Sequence, residues 1–174
     1  GNIIPQVKYP DGEIQHLCKL LPTPMDLILR RFIPLKEWKD KRNEQYELKW
    51  TGYNKIMNIP SLSGCFMFLR VDALKKVGLF DENIFMYLED TDLNRRLHRE
   101  YKTIFYPEVE IFHEYGKESY KNKKLLNYHI QSAIYYFNKY GWICDKEIKK
   151  ITNATIESVQ KGIIKKSGMN TNFK

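Results

Sequence analysis

The chain has 174 residues, of which 43% are hydrophobic and 14% aromatic. This composition suffices for one domain with a substantial apolar core and excludes an intrinsically disordered chain. The formal net charge of +8 favours an anionic partner, such as nucleic acid, a phosphorylated substrate or an acidic membrane surface.

Cysteine spacing and hydropathy further limit the kinds of protein that the sequence allows. Cys18, Cys65 and Cys144 lie far apart and form no Cys-x-x-Cys pair, so neither a disulfide framework nor a zinc site is indicated. No apolar run approaches the ~20 residues that span a bilayer, and the amino terminus lacks a signal-peptide pattern. We therefore expect a soluble cytoplasmic chain, at most peripheral to a membrane.

Turn and cap residues predict the first elements. Pro10-Asp11-Gly12 predicts a small hairpin within residues 7–15. Thr23-Pro24 predicts the start of a short helix, which Pro34 ends. Residues 35–60 are charged and aromatic without clear periodicity, so we expect a long, partly mobile loop there.

The middle of the chain alternates strand and helix patterns. The apolar run 63–71 predicts a buried strand, and Asp72 is expected to cap a brief helix that Gly78 ends. Residues 89–101 then predict an amphipathic helix with Leu93, Leu97 and Tyr101 on its apolar face. Its polar face would carry Arg95, Arg96, His98 and Arg99.

The last third of the chain predicts one extended segment and two helices. Residues 103–113 favour one or two strands broken at Pro107. Helical spacing of apolar residues from Leu125 to Phe137 predicts a helix that Gly141 ends, followed by a weaker helix over 145–160 and a frayed tail after Gly162. With no internal repeat or linker, residues 1–174 are predicted to form a single α/β domain.

Glu89, Asp90 and Asp92 place three acids within four positions where an apolar run meets a predicted helix. A helix start stabilises a negative charge by about 0.3–1 kcal/mol, so capping is a sufficient explanation for one or two of them. Three acids so close together favour a site that handles a cation, a hydroxyl group or a proton. Asp90-Thr91-Asp92 also matches the bare Asp-x-Asp metal pattern, which we interpret as coincidental because three residues match easily by chance.

Five motifs follow one another in a specific order: Ser63-Gly-Cys-Phe-Met-Phe-Leu-Arg70, Val77-Gly-Leu-Phe-Asp-Glu82, Phe85-Met-Tyr-Leu-Glu-Asp-Thr-Asp-Leu93, Arg96-Leu97 and Tyr106-Pro-Glu-Val-Glu-Ile-Phe-His113. Together they resemble the carboxy-terminal half of family 2 glycosyltransferases, most nearly the rhamnosyltransferase-like members, from about Pro5 to Ser119. The resemblance implies a partial GT-A fold, with a mixed sheet flanked by helices and carboxy-terminal helices. The acceptor-side half would occupy residues 1–119 and a helical extension residues 120–174.

The resemblance also implies roles for individual residues. Asp90 would be the general base that removes the proton from the acceptor hydroxyl in an inverting transfer. Glu89 and Asp92 would orient the acceptor or hold the geometry of Asp90. Gly64 and Cys65 would lie where strand backbone approaches the sugar, because a small residue permits that approach.

Two further positions keep two interpretations each. His113 matches a histidine that closes the metal site in several family members, although a histidine at a strand end is commonly structural. Arg96 would face the diphosphate or lie on a solvated helix face. The aromatic residues from Trp38 to Tyr53 would stack on an acceptor sugar ring or anchor their segment in the core.

The family's donor-binding half, with its nucleobase turn and true Asp-x-Asp motif, has no counterpart in these residues. The complete enzyme would use Mg²⁺ or Mn²⁺, but His113 alone would not hold such an ion, since these cations require several oxygen ligands. This chain by itself is therefore expected to bind no metal tightly and to transfer no sugar. The implied partners are a nucleotide-sugar donor and a glycan or lipid-linked acceptor, used in bacterial cell-envelope polysaccharide synthesis.

Other interpretations stay open at this point. The chain would alternatively be a non-catalytic remnant or a partner-binding module of the same fold. Nucleic-acid binding is disfavoured because the lysines are scattered and no nucleic-acid motif is present. The helix over 125–140, with lysines before it and tyrosines on it, would pack on the sheet or lie peripherally on the inner membrane face. An exposed sheet edge would favour homo-oligomers.

Overall fold

The computed structural model describes residues 1–29, 35–114, 122–143 and 145–162. Its strands are β1 (Asn2–Lys8), β2 (Cys18–Lys19), β3 (Met57–Asn58), β4 (Ser61–Leu62), β5 (Phe68–Leu69) and β6 (Thr103–Phe112). Its α-helices are α1 (Lys36–Tyr46), α2 (Val71–Val77), α3 (Glu89–Glu100), α4 (Lys123–Tyr140) and α5 (Lys146–Gln160). A π-helical turn, Met25–Leu29, and a 3-10 turn, Lys49–Thr51, complete the described elements.

The main sheet has the strand order β3-β6-β1-β5. β1 and β6 are parallel, whereas β5 and β3 run antiparallel to their neighbours, so the sheet is mixed and the predicted α/β class is confirmed. The β1–β6 register shifts between Pro5, opposite Tyr106, and Gln6, opposite Glu110. The predicted break at Pro107 is therefore a bulge within one strand. β2 and β4 form a separate antiparallel pair.

The first hairpin forms as predicted. Tyr9 donates its backbone N–H to the carbonyl of Glu13 at 2.8 Å, and Gln15 donates to the carbonyl of Val7 at 2.8 Å. Gly12 occupies the turn with a φ of 92°, a backbone conformation that glycine adopts without strain. The helix predicted after Thr23 is described only as the π-helical turn, and its end at Pro34 lies outside the described residues.

The long loop predicted over residues 35–60 is wrong. Most of this segment is α1 and the 3-10 turn, and Tyr46 and Tyr53 are buried in the main core. The Tyr53 hydroxyl donates to the carbonyl of Glu47 at 2.6 Å and accepts the N–H of Cys18 at 3.0 Å. These two tyrosines therefore anchor their segment in the core, the second of the two interpretations.

The buried strand predicted over 63–71 is also wrong. Its extended part is the two-residue β5, where the Phe68 side chain is 68% exposed, and residues 64 and 65 form a turn. The following helix, α2, ends at Gly78 as predicted, with a φ of 87°. Its N-cap residue is Arg70 rather than Asp72.

The two carboxy-terminal helices lie close to their predicted bounds. α4 ends at Gly141 and buries Ala133, Tyr136 and Phe137. α5 begins after Asp145, whose side chain accepts the N–H groups of residues 147 and 148. Among the residues that the structure describes, no helix is both long enough and apolar enough to cross a membrane. The tail after Gly162 lies outside the described residues.

Candidate functional site

The acidic segment begins with an unusual turn of the chain. Tyr87 and Leu88 have φ angles of 65° and 67°, and Glu89 starts α3 immediately after them. Residues other than glycine and asparagine rarely adopt this left-handed backbone conformation. It costs on the order of 1 kcal/mol or more and occurs frequently at functional sites. The turn places Glu89 and Asp90 in the first turn of α3.

Helix α4 holds this turn in place. Leu88 is buried in a cluster with Ala133 and Phe137 of α4. The Ser132 hydroxyl donates to the carbonyl of Met86 at 2.6 Å. Packing and hydrogen bonding to α4 thus offset the strain of the two left-handed residues.

Asp90 joins α3 to the turn between β4 and β5. Its Oδ2 accepts the backbone N–H of Gly64 at 2.7 Å, and its Oδ1 accepts the N–H of Thr91 at 2.6 Å. Asn94, one helical turn further, donates to the carbonyls of Asp90 at 2.9 Å and Leu62 at 2.8 Å. The carboxylate is therefore held in one orientation and stays partly exposed.

Gly64 is required by its contact with Asp90. A Cβ at position 64 would lie 3.2 Å from the Cβ of Asp90, closer than most side-chain contacts allow. The predicted approach of backbone at Gly64 and Cys65 to the sugar stays a prediction, and what the structure shows is a close contact between Gly64 and the side chain of Asp90. Cys65 follows in the same turn, and burial raises the pKa of its thiol above the ordinary value.

Glu89 has a different environment from its neighbour. Its Oε2 is buried and has no hydrogen-bond partner among the described residues. Burial, and then the charge of Asp90, raise the pKa of Glu89 to about 7. Glu89 therefore exchanges a proton near neutral pH, as functional carboxyl groups commonly do.

Asp92 lies on the inner side of α3, and its side chain is 0% exposed. It accepts hydrogen bonds from Arg96 Nε at 2.9 Å, Lys139 Nζ at 2.7 Å and the Tyr140 hydroxyl at 2.6 Å. Lys139 also binds Asp81 at 2.7 Å, which holds the pKa of that carboxyl well below its usual range. Asp92 therefore connects α3 to α4, and its two predicted roles, orienting the acceptor or holding the geometry of Asp90, stay predictions.

Arg96 connects α3 to the end of α2. Beside its ion pair with Asp92, its guanidinium donates to the carbonyls of Val77 at 2.7 Å, Gly78 at 3.2 Å and Leu79 at 2.7 Å. The interpretation of Arg96 as part of a solvated helix face is wrong, because its side chain is 16% exposed and engaged with the protein. Binding of a diphosphate by Arg96 stays a prediction.

Arg95 was also misplaced by the sequence pattern, since its side chain is 1% exposed rather than solvated. It pairs with Asp145 at 2.7 Å and with Glu147 at 2.6 Å, and its guanidinium carbon lies 3.9 Å from the centre of the Tyr140 ring. Arg95 therefore fastens the start of α5 to α3. Asp145 and Glu147, at the predicted start of α5, were the sequence signal that could have indicated an acidic partner for Arg95.

His113 lies just past the end of β6. Its backbone N–H donates to the carbonyl of Lys8 at 2.9 Å, and the Nδ1 of its ring lies 3.3 Å from Oε1 of Gln15. Across the described parts of the chain, no three His, Cys, Asp or Glu side chains come together as a metal-binding group. The described residues therefore do not fit the divalent ion that the resemblance implies, and the role of His113 as a ligand stays a prediction.

Comparison with known proteins gives two curated relatives. They are the N-acetylglucosaminyl-diphospho-decaprenol L-rhamnosyltransferases of Mycobacterium tuberculosis strains CDC 1551 / Oshkosh and ATCC 25618 / H37Rv. Each is 27% identical over 156 residues, which cover 82% of this chain and 47% of the relative. The chain thus spans about half the length of the curated relatives it matches. No protein-family model matches the chain, and no solved structure matches it significantly.

The relatives indicate a class of protein, and the fold is compatible with it. The chain is glycosyltransferase-like in sequence and folds as an α/β domain with a mixed sheet flanked by helices. The particular relatives act, by their names, on a lipid-linked sugar as rhamnosyltransferases.

Proposed function

We propose that this chain forms the acceptor-side, base-bearing part of an inverting glycosyltransferase of family 2 with a GT-A fold. The observation that carries the proposal is the carboxylate of Asp90, which Gly64 holds in one orientation at the start of α3. Beside it lies the Glu89 oxygen that has no hydrogen-bond partner in the described part of the chain. The similarity to two rhamnosyltransferases supports it independently.

The chemistry needs one oriented base. The acceptor oxygen forms a bond to the anomeric carbon while the bond to the departing diphosphate breaks, and the hydroxyl proton passes to a carboxylate. An ionised carboxylate accepts about four hydrogen bonds. In Asp90, two N–H groups and the more distant Thr91 hydroxyl, at 3.3 Å, occupy three of these positions, which leaves one for the acceptor hydroxyl.

Glu89 supports this role through its charge state. Because its pKa is raised to about 7, a large share of Glu89 is neutral near neutral pH. A neutral Glu89 adds no second negative charge beside the base and can donate a hydrogen bond from its buried oxygen. We assign Glu89 as the residue that orients the acceptor or the base itself.

The substrates follow from the relatives. We propose a nucleotide-diphospho-sugar donor carrying rhamnose, and a sugar linked through diphosphate to a polyprenol as the acceptor, used in cell-envelope polysaccharide synthesis. These assignments extend the names of the two relatives to this chain. Nucleotide sugars and such acceptors meet at the cytoplasmic face of the membrane, where we place the reaction.

The test compares Asp90→Asn with the wild type, in the protein as its gene encodes it. Transfer from nucleotide-diphospho-rhamnose to N-acetylglucosaminyl-diphospho-polyprenol is measured. Asparagine keeps an oxygen for the Gly64 N–H but gives up the oxygen that accepts the Thr91 N–H, and it removes the base. We therefore expect kcat to fall by about 10²–10⁴ and the free energy of unfolding to fall by only about 1 kcal/mol. The matched control is Asp72→Asn, at a side chain that is 70% exposed on α2.

Three outcomes would contradict the proposal. Asp90→Asn would retain most of its activity, or Asp72→Asn would lose as much as Asp90→Asn. Alternatively, the wild-type protein would transfer no sugar from any nucleotide-diphospho-sugar in a broad panel, which would favour a non-catalytic module.

A further inference from the structure

Helix α4 has exposed apolar side chains along one edge of its buried face. Next to the buried Ala133 and Phe137, the side chains of Ile130 and Ile134 are 37% and 42% exposed. They lie four residues apart and therefore on the same side of the helix. Two large apolar side chains thus remain in solvent, one turn apart.

The same line of side chains continues past the end of α4. The indole N–H of Trp142 donates to the side-chain oxygen of Asn138, four residues after Ile134, at 2.8 Å. The Trp142 ring lies 5.2 Å from that of Phe137 and is 41% exposed, and the neighbouring Ile143 is 94% exposed. We call Ile130, Ile134, Trp142 and Ile143 the outer strip of α4.

The charged residues of α4 itself have one sign. Helix α4 contains no aspartate or glutamate, and its first two residues, Lys123 and Lys124, are exposed. Its third lysine, Lys139, is turned inward to Asp81 and Asp92. The outer strip is therefore apolar, flanked by lysine at its amino-terminal end and free of negative charge on its own helix.

We propose that the outer strip of α4 lies in the headgroup layer of an anionic phospholipid membrane. Isoleucine side chains and a tryptophan ring whose N–H is already bonded suit the boundary between headgroups and acyl chains, and lysines at one end suit anionic lipid. A second copy of the chain is a poorer occupant, because each copy carries a net charge of +8. The proposal stands on α4 and does not depend on the proposed sugar transfer.

The experiment is vesicle flotation with the 174-residue chain. One set of vesicles contains equal parts of phosphatidylcholine and phosphatidylglycerol, and the other contains phosphatidylcholine alone. The chain is expected to float with the anionic vesicles and to bind the neutral ones far less. Failure to float with the anionic vesicles would overturn the proposal.

Variants locate the binding surface. Ile130→Ser/Ile134→Ser is expected to weaken binding to anionic vesicles roughly tenfold, because 37% and 42% of the two residues are exposed and available for burial in lipid. Lys123→Gln and Lys124→Gln are each expected to weaken it roughly fivefold. Circular dichroism confirms that each variant keeps its fold.

The matched control removes apolar side chains elsewhere. Phe68 and Phe112 on the main sheet are 68% and 66% exposed, so Phe68→Ser/Phe112→Ser deletes at least as much exposed apolar surface as the change in α4. This control is expected to bind anionic vesicles like the wild type. Loss of binding in the control with retention in the α4 variant would overturn the proposal.

A spectroscopic readout covers the case in which a serine variant unfolds. The difference in emission between the wild type and Trp142→Phe isolates the signal of Trp142 and is expected to shift to shorter wavelength with anionic vesicles. An unshifted difference spectrum while the chain floats would also overturn the proposal. Self-association in the absence of lipid, lost in Ile130→Ser/Ile134→Ser, would identify a second copy as the occupant instead.

Discussion

The Asp92→Ala substitution removes a fully buried carboxylate that three donors share. Arg96, Lys139 and Tyr140 approach it at 2.9, 2.7 and 2.6 Å. Breaking a buried ion pair from one side costs about 3–5 kcal/mol, because the remaining charge loses its partner. Here Lys139 keeps Asp81 and Arg96 keeps its backbone carbonyls, so we expect a loss near the lower end, about 3 kcal/mol.

Urea unfolding followed by circular dichroism measures this loss. With a dependence of about 1–3 kcal/mol per molar urea, the midpoint should move down by roughly 1–3 M. Asp72→Ala is the control, since that side chain is 70% exposed and pairs weakly with Lys75 at 3.8 Å, and its midpoint should hardly change. Asp92→Asn keeps the shape of the side chain and should fall between Asp92→Ala and the wild type.

A loss below about 1 kcal/mol in Asp92→Ala would show that the ion network contributes little to stability. Normal stability combined with a loss of sugar transfer would instead assign Asp92 to the acceptor. One pair of measurements thus separates a stabilising role of Asp92 from a role in binding the acceptor.

Two further substitutions test the neighbours of Asp92. Because the pKa of Glu89 is about 7 in the folded protein and 4.5 is its ordinary value, the folded state holds the proton more tightly. The wild type should lose stability as pH rises from about 4.5 to about 7, and Glu89→Gln should not. A difference between their urea midpoints that does not change with pH would contradict the raised pKa of Glu89. Arg95→Ala leaves Asp145 and Glu147 without their buried partner and should cost about 3–5 kcal/mol, or roughly 10 °C in the thermal midpoint. Arg95→Lys should recover only part of this loss, because it cannot form the same forked bonds, and full recovery would contradict the geometry.

The parts of the fold that local signals determine were predictable. Helix α4 carries apolar residues at helical spacing and ends at a glycine with a φ of 110°, and both signals are readable without tertiary information. The hairpin around Gly12 and the end of α2 at Gly78 were predictable for the same reason. These elements form where the sequence pattern places them.

Helix α1 was missed because its residues are almost all polar. Of Lys36–Tyr46, Tyr46 is the buried residue, so no apolar periodicity exists to detect. Lysine, glutamate, arginine and glutamine favour helices intrinsically, and that weaker signal was the available one. The opposite error occurred at Phe68, where an apolar run suggested burial and the side chain is mostly exposed.

In the candidate site, too, local features were predictable and contacts between residues distant in sequence were not. The position of Asp90 at the start of α3 follows from a motif and a helix pattern, both local. The burial of Arg95 depends on Asp145 and Glu147, which lie 50 and 52 residues further along the chain. The contact between Gly64 and Asp90 joins residues 26 positions apart and was identifiable only from the fold, because the sequence predicted an approach of Gly64 to the sugar instead.

Three separate contacts tie the acidic segment to α4: Ser132 to Met86, Phe137 to Leu88, and Lys139 with Tyr140 to Asp92. They are spread along about two turns of one helix, so α4 fixes both the segment that leads into α3 and the first turn of α3. The placement of Glu89 and Asp90 therefore depends on hydrogen bonds between residues that are 46 to 48 positions apart in the chain.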